Sequence, residues 1–335
     1  MNPIKSILRE TIRNCEDLTN PPIYNILTGN AHERTECGIA RTGHNFYAIQ
    51  GEGLKTWDDR YEKMPTNYTN LDGTNLPLGV GFDLAISHHR SGMHQALASI
   101  CGKLNIPLIA IEHCVPMPTL SPAHKAQFRS LKGEANVFIH KWQGLEWGWT
   151  EGSFTVIEHG VDTQQFAPGS EERKRVIGAC VNDWANRGAI LGFDMWREAT
   201  NGLPIEVLGA SPGYSEPAKN IQDLADHYKS WQIFCNTSIY STYPTVCLEA
   251  AASECAIVTT STCALSDIFV DGETALIAND SRSMKKALTH LLDKPEECQR
   301  LGKNARKMIM ERFSMERFLK DWNSLMANTL ESWRP

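Results

Sequence analysis

Between Ile239 and Ile277 the chain sets a proline, a run of open amides and one carboxylate at a spacing that suits an anion carrying a sugar. Pro244 fits the opening of a helix, where its missing N–H costs nothing. The amides that follow, of Thr245, Val246 and Cys247, have no carbonyl partner within such a helix. They face outward at the positive end of the helix dipole, a ready site for phosphate. Glu249 lies four residues past Thr245 and shares its helix face. It would stand about 6 Å along the axis from the phosphate, placed to accept two ribose hydroxyls. Taken alone, Glu249 reads first as a helix-favouring acid in an early turn. The elements around it give the spacing its meaning.

Apolar runs of strand length alternate with helical patterns along the whole chain. The first half predicts strands at 23–27, 46–49, 82–87, 107–111, 137–140 and 154–158, with helices at 91–103, 124–131 and 141–147. The second half predicts strands near 175–180, 205–208, 232–235, 256–259 and 275–277, with helices near 188–199, 221–231, 245–254, 283–293 and 294–312. This alternation implies parallel sheets with helices on both faces, an α/β chain of two doubly wound domains. Ligands in that architecture bind outside the carboxyl ends of the strands, here in the cleft between domains. The polar stretch Val161–Lys174, with Pro168-Gly169, is the linker. The expected division is 1–162, 163–314 and a closing helix over 315–335.

The length of 335 residues suits two domains of ordinary size. No apolar run is long enough to cross a bilayer. The N-terminus is charged, with Ile4, Ile7, Leu8 and Ile12 at helical spacing, and reads as an amphipathic helix rather than a signal peptide. The ten cysteines show no Cys-x-x-Cys spacing, which suits reduced thiols in a cytoplasmic protein. The eleven histidines offer no metal-site spacing, and no convincing Asp-x-Asp is present, so a metal-bridged diphosphate is not expected. The net charge of −6 is spread over both halves, which argues against a dedicated basic domain for duplex nucleic acid but leaves room for a local patch.

Two other groups of residues stand out. Gln50–Gly79 is long, polar and rich in Gly, Asn and Pro. Its Trp57, Tyr61 and Tyr68, with Lys55, Arg60 and Lys63, form either a clamp for a ring or phosphate or a solvated loop tacked down by aromatics. Lys125, Arg129 and Lys132 fall on one helix face, by default a solvated one and alternatively one that tracks phosphates. At the end of the first half, Gly160 supplies a turn and Asp162 caps it.

The stretch around Glu249 resembles the C-terminal domain of family 4 retaining glycosyltransferases of the GT-B fold. Glu249-Ala250 matches the second glutamate of their paired-glutamate motif, Cys255-Ala-Ile-Val-Thr-Thr260 the next strand, and Asp267-Ile-Phe-Val-Asp-Gly-Glu-Thr-Ala-Leu-Ile277 the turn and last strand. The segment 154–162, with Phe166, resembles the family's interdomain motif, and Arg312–Trp322 its closing helix. The resemblance covers about residues 154–330 well and the first half in outline. It implies transfer of a sugar from a nucleotide diphosphate sugar, a UDP-sugar in the first instance, to a hydroxyl with retention and without a metal or other cofactor. It implies that Glu249 holds the ribose and that Arg187, in the loop Asn182–Gly188, neutralises the diphosphate. It also implies that His113, at the end of Ile109–His113, approaches the donor sugar and that Gly29 lets backbone approach the diphosphate. Two positions depart from the family: Ser241 replaces the first glutamate, which touches the donor sugar, and Asn182 replaces an arginine.

The segments Asn30–Arg34 and Thr42–Tyr47 resemble short glycosyltransferases of tailed bacteriophages, some of which modify hydroxymethylated pyrimidines in DNA. That resemblance implies phage DNA as acceptor and the host cytoplasm as location, with Trp57, Arg60, Lys125 and Arg129 as acceptor contacts. A glycan or lipid-linked acceptor is the rival. A non-catalytic nucleotide-sugar binder and a nucleotide-sugar epimerase are readings from other classes. A monomer or dimer is expected.

Overall fold

The computed structural model describes residues 22–334 apart from His89 and Ser91, so the amphipathic helix expected at the N-terminus lies outside the described residues. The first half folds as β1 (Asn25–Gly29), α1 (Glu33–Ala40), β2 (Asn45–Ile49), β3 (Tyr68–Asn70), β4 (Leu84–Ser87), α2 (Gly92–Leu104), β5 (Leu108–Glu112), α3 (Pro122–Ser130), β6 (Ala135–Phe138), α4 (Lys141–Glu146) and β7 (Thr155–Val156). The second half continues with β8 (Lys174–Cys180), α5 (Trp184–Leu191), α6 (Phe193–Thr200), β9 (Ile205–Leu208), α7 (Ile221–Ser230), β10 (Trp231–Asn236), α8 (Thr245–Ala252), β11 (Ala256–Thr259), α9 (Leu265–Ile268) and β12 (Leu276–Ile277). Three helices close the chain: α10 (Ser281–Asp293), α11 (Pro295–Arg312) and α12 (Met315–Ser332).

The strands form two sheets, ordered β3-β2-β1-β4-β5-β6-β7 and β12-β11-β10-β8-β9. Their pairings are parallel. Central strands such as β4, β5 and β10 are buried at every residue, as parallel strands covered on both faces must be. Strand order reverses between β1 and β4 in the first sheet and between β8 and β10 in the second. Those two crevices are where such folds bind ligands, and they position the residues singled out above.

The closing helix α12 leaves the second sheet and buries Phe318, Trp322 and Met326 in the core of the first, with Ile26, Ile39, Phe46 and Ile109. Gly160 lets it dock, since a Cβ there would stand 2.7 Å from the Phe318 Cβ. Arg317 then donates to the carbonyls of Glu158 at 2.9 Å and His159 at 2.7 Å, tying the helix to the crossover. Among the described residues no helix is long and apolar enough to cross a membrane.

Three features differ from the sequence expectation. The helix expected over 188–199 begins earlier and is two helices, because Gly192 takes a left-handed φ of +69° between them. A Cβ at Gly192 would lie 2.0 Å from the Thr237 carbonyl oxygen, so close approach of the β10 end forces the break. The long segment 50–79 contains β3, paired with β2 from Phe46↔Tyr68 to Ala48↔Asn70. Helix α1 was not foreseen, because it carries no apolar stripe: its buried face includes Glu33 and Glu36, held by other groups.

Candidate functional site

The second sheet contributes one wall of the cleft. Pro244 is the N-cap of α8, with φ −72° and ψ 126°, so Thr245 opens the helix. The Cys247 amide bonds back to the Pro244 carbonyl at 3.0 Å, which removes it from the expected anion site. The amides of Thr245 and Val246 make no hydrogen bond among the described residues and remain available. One turn on, Glu249 is 5% exposed and both its oxygens are engaged. Arg34 of α1 binds Oε1 across the cleft, and the Tyr228 hydroxyl donates to Oε2 at 3.2 Å. Burial works against the Arg34 cation, but Glu249 and Tyr228 more than offset it and hold the guanidinium charged.

The loop before α8 is stitched to the first half. Tyr240 donates to the Pro116 carbonyl, Thr242 to that of His113 at 3.4 Å, and Tyr243 to that of Ile139 at 3.1 Å. Ser241 sits half-buried within this stitch. Helix α5 ends against the same loop: the Ile239 and Tyr240 amides donate to the Ile190 carbonyl at 2.9 and 3.0 Å. On α5, Arg187 is exposed, and among the described residues its side chain makes no hydrogen bond or ion pair. Its charge is felt at Cys114, just beyond the end of β5, where burial pushes the thiol up to about 11 and Arg187 opposes the rise. Asn182 is committed to structure instead, its Oδ1 accepting from the Ala210 amide at 2.8 Å.

On the first wall, His113 Nε2 lies 3.3 Å from His88 Nδ1, and the His32 ring packs edge-on at 4.7 Å. Behind them His88 Nε2 lies 3.9 Å from Glu36 Oε1. Glu36 accepts from the Ala31 amide at 2.6 Å, but its Oε2 is buried with no hydrogen-bond partner among the described residues, and burial raises its carboxyl to about 8. Glu112, next to His113, is likewise pushed up to about 7 by burial. Gly29 ends β1 where a Cβ would meet the Met93 side chain of α2 at 2.9 Å, so any larger residue there would have to move that methionine.

A cavity of about 350 Å³ opens between the walls on the hinge side of Glu249. Arg34, Glu62, Asp162, Ile221, Thr245 and Leu248 are among its lining residues. Asp162 caps its turn as expected, accepting from Gln164 and Gln165 amides at 3.0 Å each, and also pairs with Arg41 at 2.7 Å.

The residues expected to touch an acceptor do not converge. Trp57 donates to the Glu62 carbonyl at 2.9 Å and packs on Tyr68 at 4.8 Å, the tacking arrangement. Arg60 is held by Asp58 at 2.7 Å. Lys125 and Arg129 donate to the Glu146 and Trp147 carbonyls at 2.8 and 3.0 Å, closing the C-terminal end of α4 rather than presenting free charge. Sequence reasoning missed Arg34, Tyr228, Glu36 and His88 as neighbours of the site. Arg34 carried no local signal, because the helix whose first turn it occupies was itself not foreseen.

Known proteins align with this geometry. The chain is 30% identical over 198 residues to the MMP alpha-(1->4)-mannosyltransferase of Mycolicibacterium hassiacum, covering 52% of the chain and 46% of that relative. The chain thus spans about half the length of the curated relative it matches. The structure of Anabaena HepE in complex with UDP-glucose superposes with a TM-score of 0.73 at 14% identity, over 92% of this chain and 100% of that one. Sucrose-phosphate synthase of Thermosynechococcus elongatus gives 0.73 at 12% identity, over 92% and 100%. These likenesses establish the two-sheet architecture. The chain has the GT-B fold, and its residues 217–308, which include Glu249 and the open end of α8, match the family of glycosyl transferases group 1.

Proposed function

We propose that this protein transfers a sugar from a nucleoside diphosphate sugar, UDP-linked in the first instance, to an acceptor hydroxyl with retention of configuration. The observation that carries the reading is Glu249: a buried carboxylate one turn beyond two open amides, at the switch point of the second sheet and facing the cleft. In this reading its oxygens accept the ribose hydroxyls. The Thr245 and Val246 amides and Arg187 receive the diphosphate and stabilise it as it leaves. In the same reading His113 lies beside the transferred sugar, and Ser241 shapes the sugar pocket. Charge neutralisation falls to these protein groups without a metal. The departing diphosphate takes the acceptor proton, so no side-chain nucleophile is required. That HepE is seen with UDP-glucose supports a nucleotide sugar as donor.

For the acceptor, a saccharide hydroxyl is the reading the structure favours. The aromatic and basic residues that pointed to phage DNA are engaged with their own backbone and neighbours, and the matched mycobacterial relative is a mannosyltransferase. A hydroxymethylated pyrimidine in DNA remains the competing acceptor, supported by the sequence resemblance alone.

The test is incubation of the protein with a panel of nucleotide sugars, each offered saccharides, plain DNA and hydroxymethylated DNA, followed by mass analysis. Transfer to a saccharide with release of nucleoside diphosphate is expected, and proton NMR should show the donor's anomeric configuration in the product. Mass gain on DNA alone would replace the saccharide reading. Interconversion of the sugar with no acceptor would make the protein an epimerase. Tight nucleotide binding with no turnover on any pair would make it a binder.

A further inference from the structure

We infer that Arg34, on the first-half wall, is the second guanidinium of the donor site: it pairs with Glu249 and, when ribose hydroxyls compete for that carboxylate, turns to the diphosphate. The inference rests on the reading of Glu249 as the ribose anchor and adds a residue from the opposite wall.

Three observations lead there. The first is a charge count at the phosphate end of α8. A diphosphate carries more charge than one guanidinium offsets, and of the two donor-loop positions that the sequence resemblance assigns to cations, Arg187 alone carries one. Asn182 is neutral and its amide oxygen is spent on Ala210. The second is placement. Arg34 and Thr245 line the same cavity, and Glu249 stands one helical turn, about 6 Å, from the open amides. A guanidinium resting on that carboxylate is thus a short swing from a phosphate at Thr245, and its planar fork suits bidentate contact with phosphate oxygens.

The third is competition. A ribose hydroxyl arriving at Glu249 Oε1 would share that oxygen with Arg34, which weakens the pair and leaves the guanidinium readier to take a second anion. Glu62 and Asp162 also line the cavity and Glu62 already interacts with Arg34, but an arriving diphosphate carries more charge than either and offers the guanidinium a bidentate edge. The other arginine of this wall, Arg41, is occupied by Asp162 at 2.7 Å and is not released by the same event. The exchange also links binding to geometry, because the cation that follows the phosphate belongs to the opposite half of the molecule.

The test compares UDP with uridine by calorimetry on the full chain. The variants are Arg34→Gln, Arg41→Gln as a control, and Arg34→Gln/Glu249→Gln, which removes any penalty from an unpaired buried carboxylate. In Arg34→Gln, UDP affinity should fall at least about tenfold while uridine affinity holds or improves. Arg41→Gln should change neither. The double variant should still bind UDP more weakly than Glu249→Gln alone. If UDP and uridine tighten together in Arg34→Gln, Arg34 is only a competitor for the carboxylate and the inference fails. Unchanged UDP affinity in both Arg34 variants also overturns it. Wild-type protein that binds no nucleotide at all would instead remove the donor-site reading itself.

Discussion

The Tyr228 hydroxyl donates to Glu249 Oε2 at 3.2 Å, on the oxygen that Arg34 does not hold. Tyr228 rises from α7, is fully buried, and packs on Trp231 and Phe234, so the carboxylate is aimed from beneath by the core of the second sheet. A flexible surface glutamate could not be relied on to meet two ribose hydroxyls. This one is fixed before the nucleotide arrives, which reduces the ordering cost of binding.

Removing that anchor should therefore be costly and removing its support less so. Glu249→Ala should weaken nucleotide binding by about a hundredfold or more, since it deletes charged hydrogen bonds of about 1.5–3 kcal/mol each. Tyr228→Phe deletes one hydrogen bond to the carboxylate and should cost several-fold, with the fold intact by circular dichroism. Unchanged nucleotide affinity of Glu249→Ala in calorimetry would remove Glu249 from the site.

Arg187 should act on the leaving group more than on the nucleoside. Arg187→Ala should reduce kcat/KM by about ten- to a hundredfold and weaken UDP, while uridine affinity stays level. Because the side chain is exposed and unpaired, its thermal unfolding midpoint should not move. Loss of uridine and UDP binding in equal measure would show that Arg187 supports the fold of the site and not the phosphates.

Glu36 gives a pH dependence of stability with a definite sign. Unfolded, its carboxyl titrates near the ordinary 4.5; folded, burial holds the proton to about 8. Between those values the folded state binds more protons, so stability falls as pH rises through that window and levels off above it. Glu112, held to about 7, adds a fall of the same sign that ends earlier. Glu36→Gln keeps an acceptor for the Ala31 amide and removes the titration. Urea unfolding from pH 5 to 9 should show a shallower decline than wild type and a gain in stability at pH 9. Equal slopes for the two proteins would assign the dependence elsewhere.

Two left-handed glycines should respond differently to alanine. Gly202, at φ +78°, has nothing within 4 Å of a Cβ, so only backbone strain is added, about 1 kcal/mol. At Gly192 the new Cβ would also meet the Thr237 carbonyl oxygen, and about 2–4 kcal/mol is expected. Gly192→Ala should further impair catalysis, because it pushes α5 and Arg187 away from the β10 end. Equal destabilisation of the two variants by denaturant titration would refute the packing account of the α5–α6 break.

Much of this molecule was legible from local signals. Parallel strands buried on both faces are continuous apolar runs, so β5 and β10 read clearly without any partner known. The opening of α8 read as well, because a proline before open amides and a carboxylate one turn on is a local pattern. What failed locally were elements stabilised from outside. Helix α1 buries Glu33 and Glu36 rather than an apolar stripe, and β3 exists because β2 pairs with it. The break at Gly192 comes from a carbonyl 45 residues away in sequence.

The same division runs through the site. Sequence alone determined that Glu249, the Thr245 and Val246 amides and Arg187 lie at the carboxyl ends of one sheet, since each follows its strand by a short loop. Only the tertiary structure decided what they face. Arg34 is 215 residues from Glu249, and two charges so far apart meet because α12 returns to the first sheet and sets the two walls across one cleft. It also gave the four residues that sequence offered to an acceptor neighbours within the chain: Trp57 and the two helix-face cations bond backbone carbonyls, and Arg60 pairs with Asp58. Charge and residue type are properties of the chain, but whether a charge is free is settled by its nearest neighbours in space.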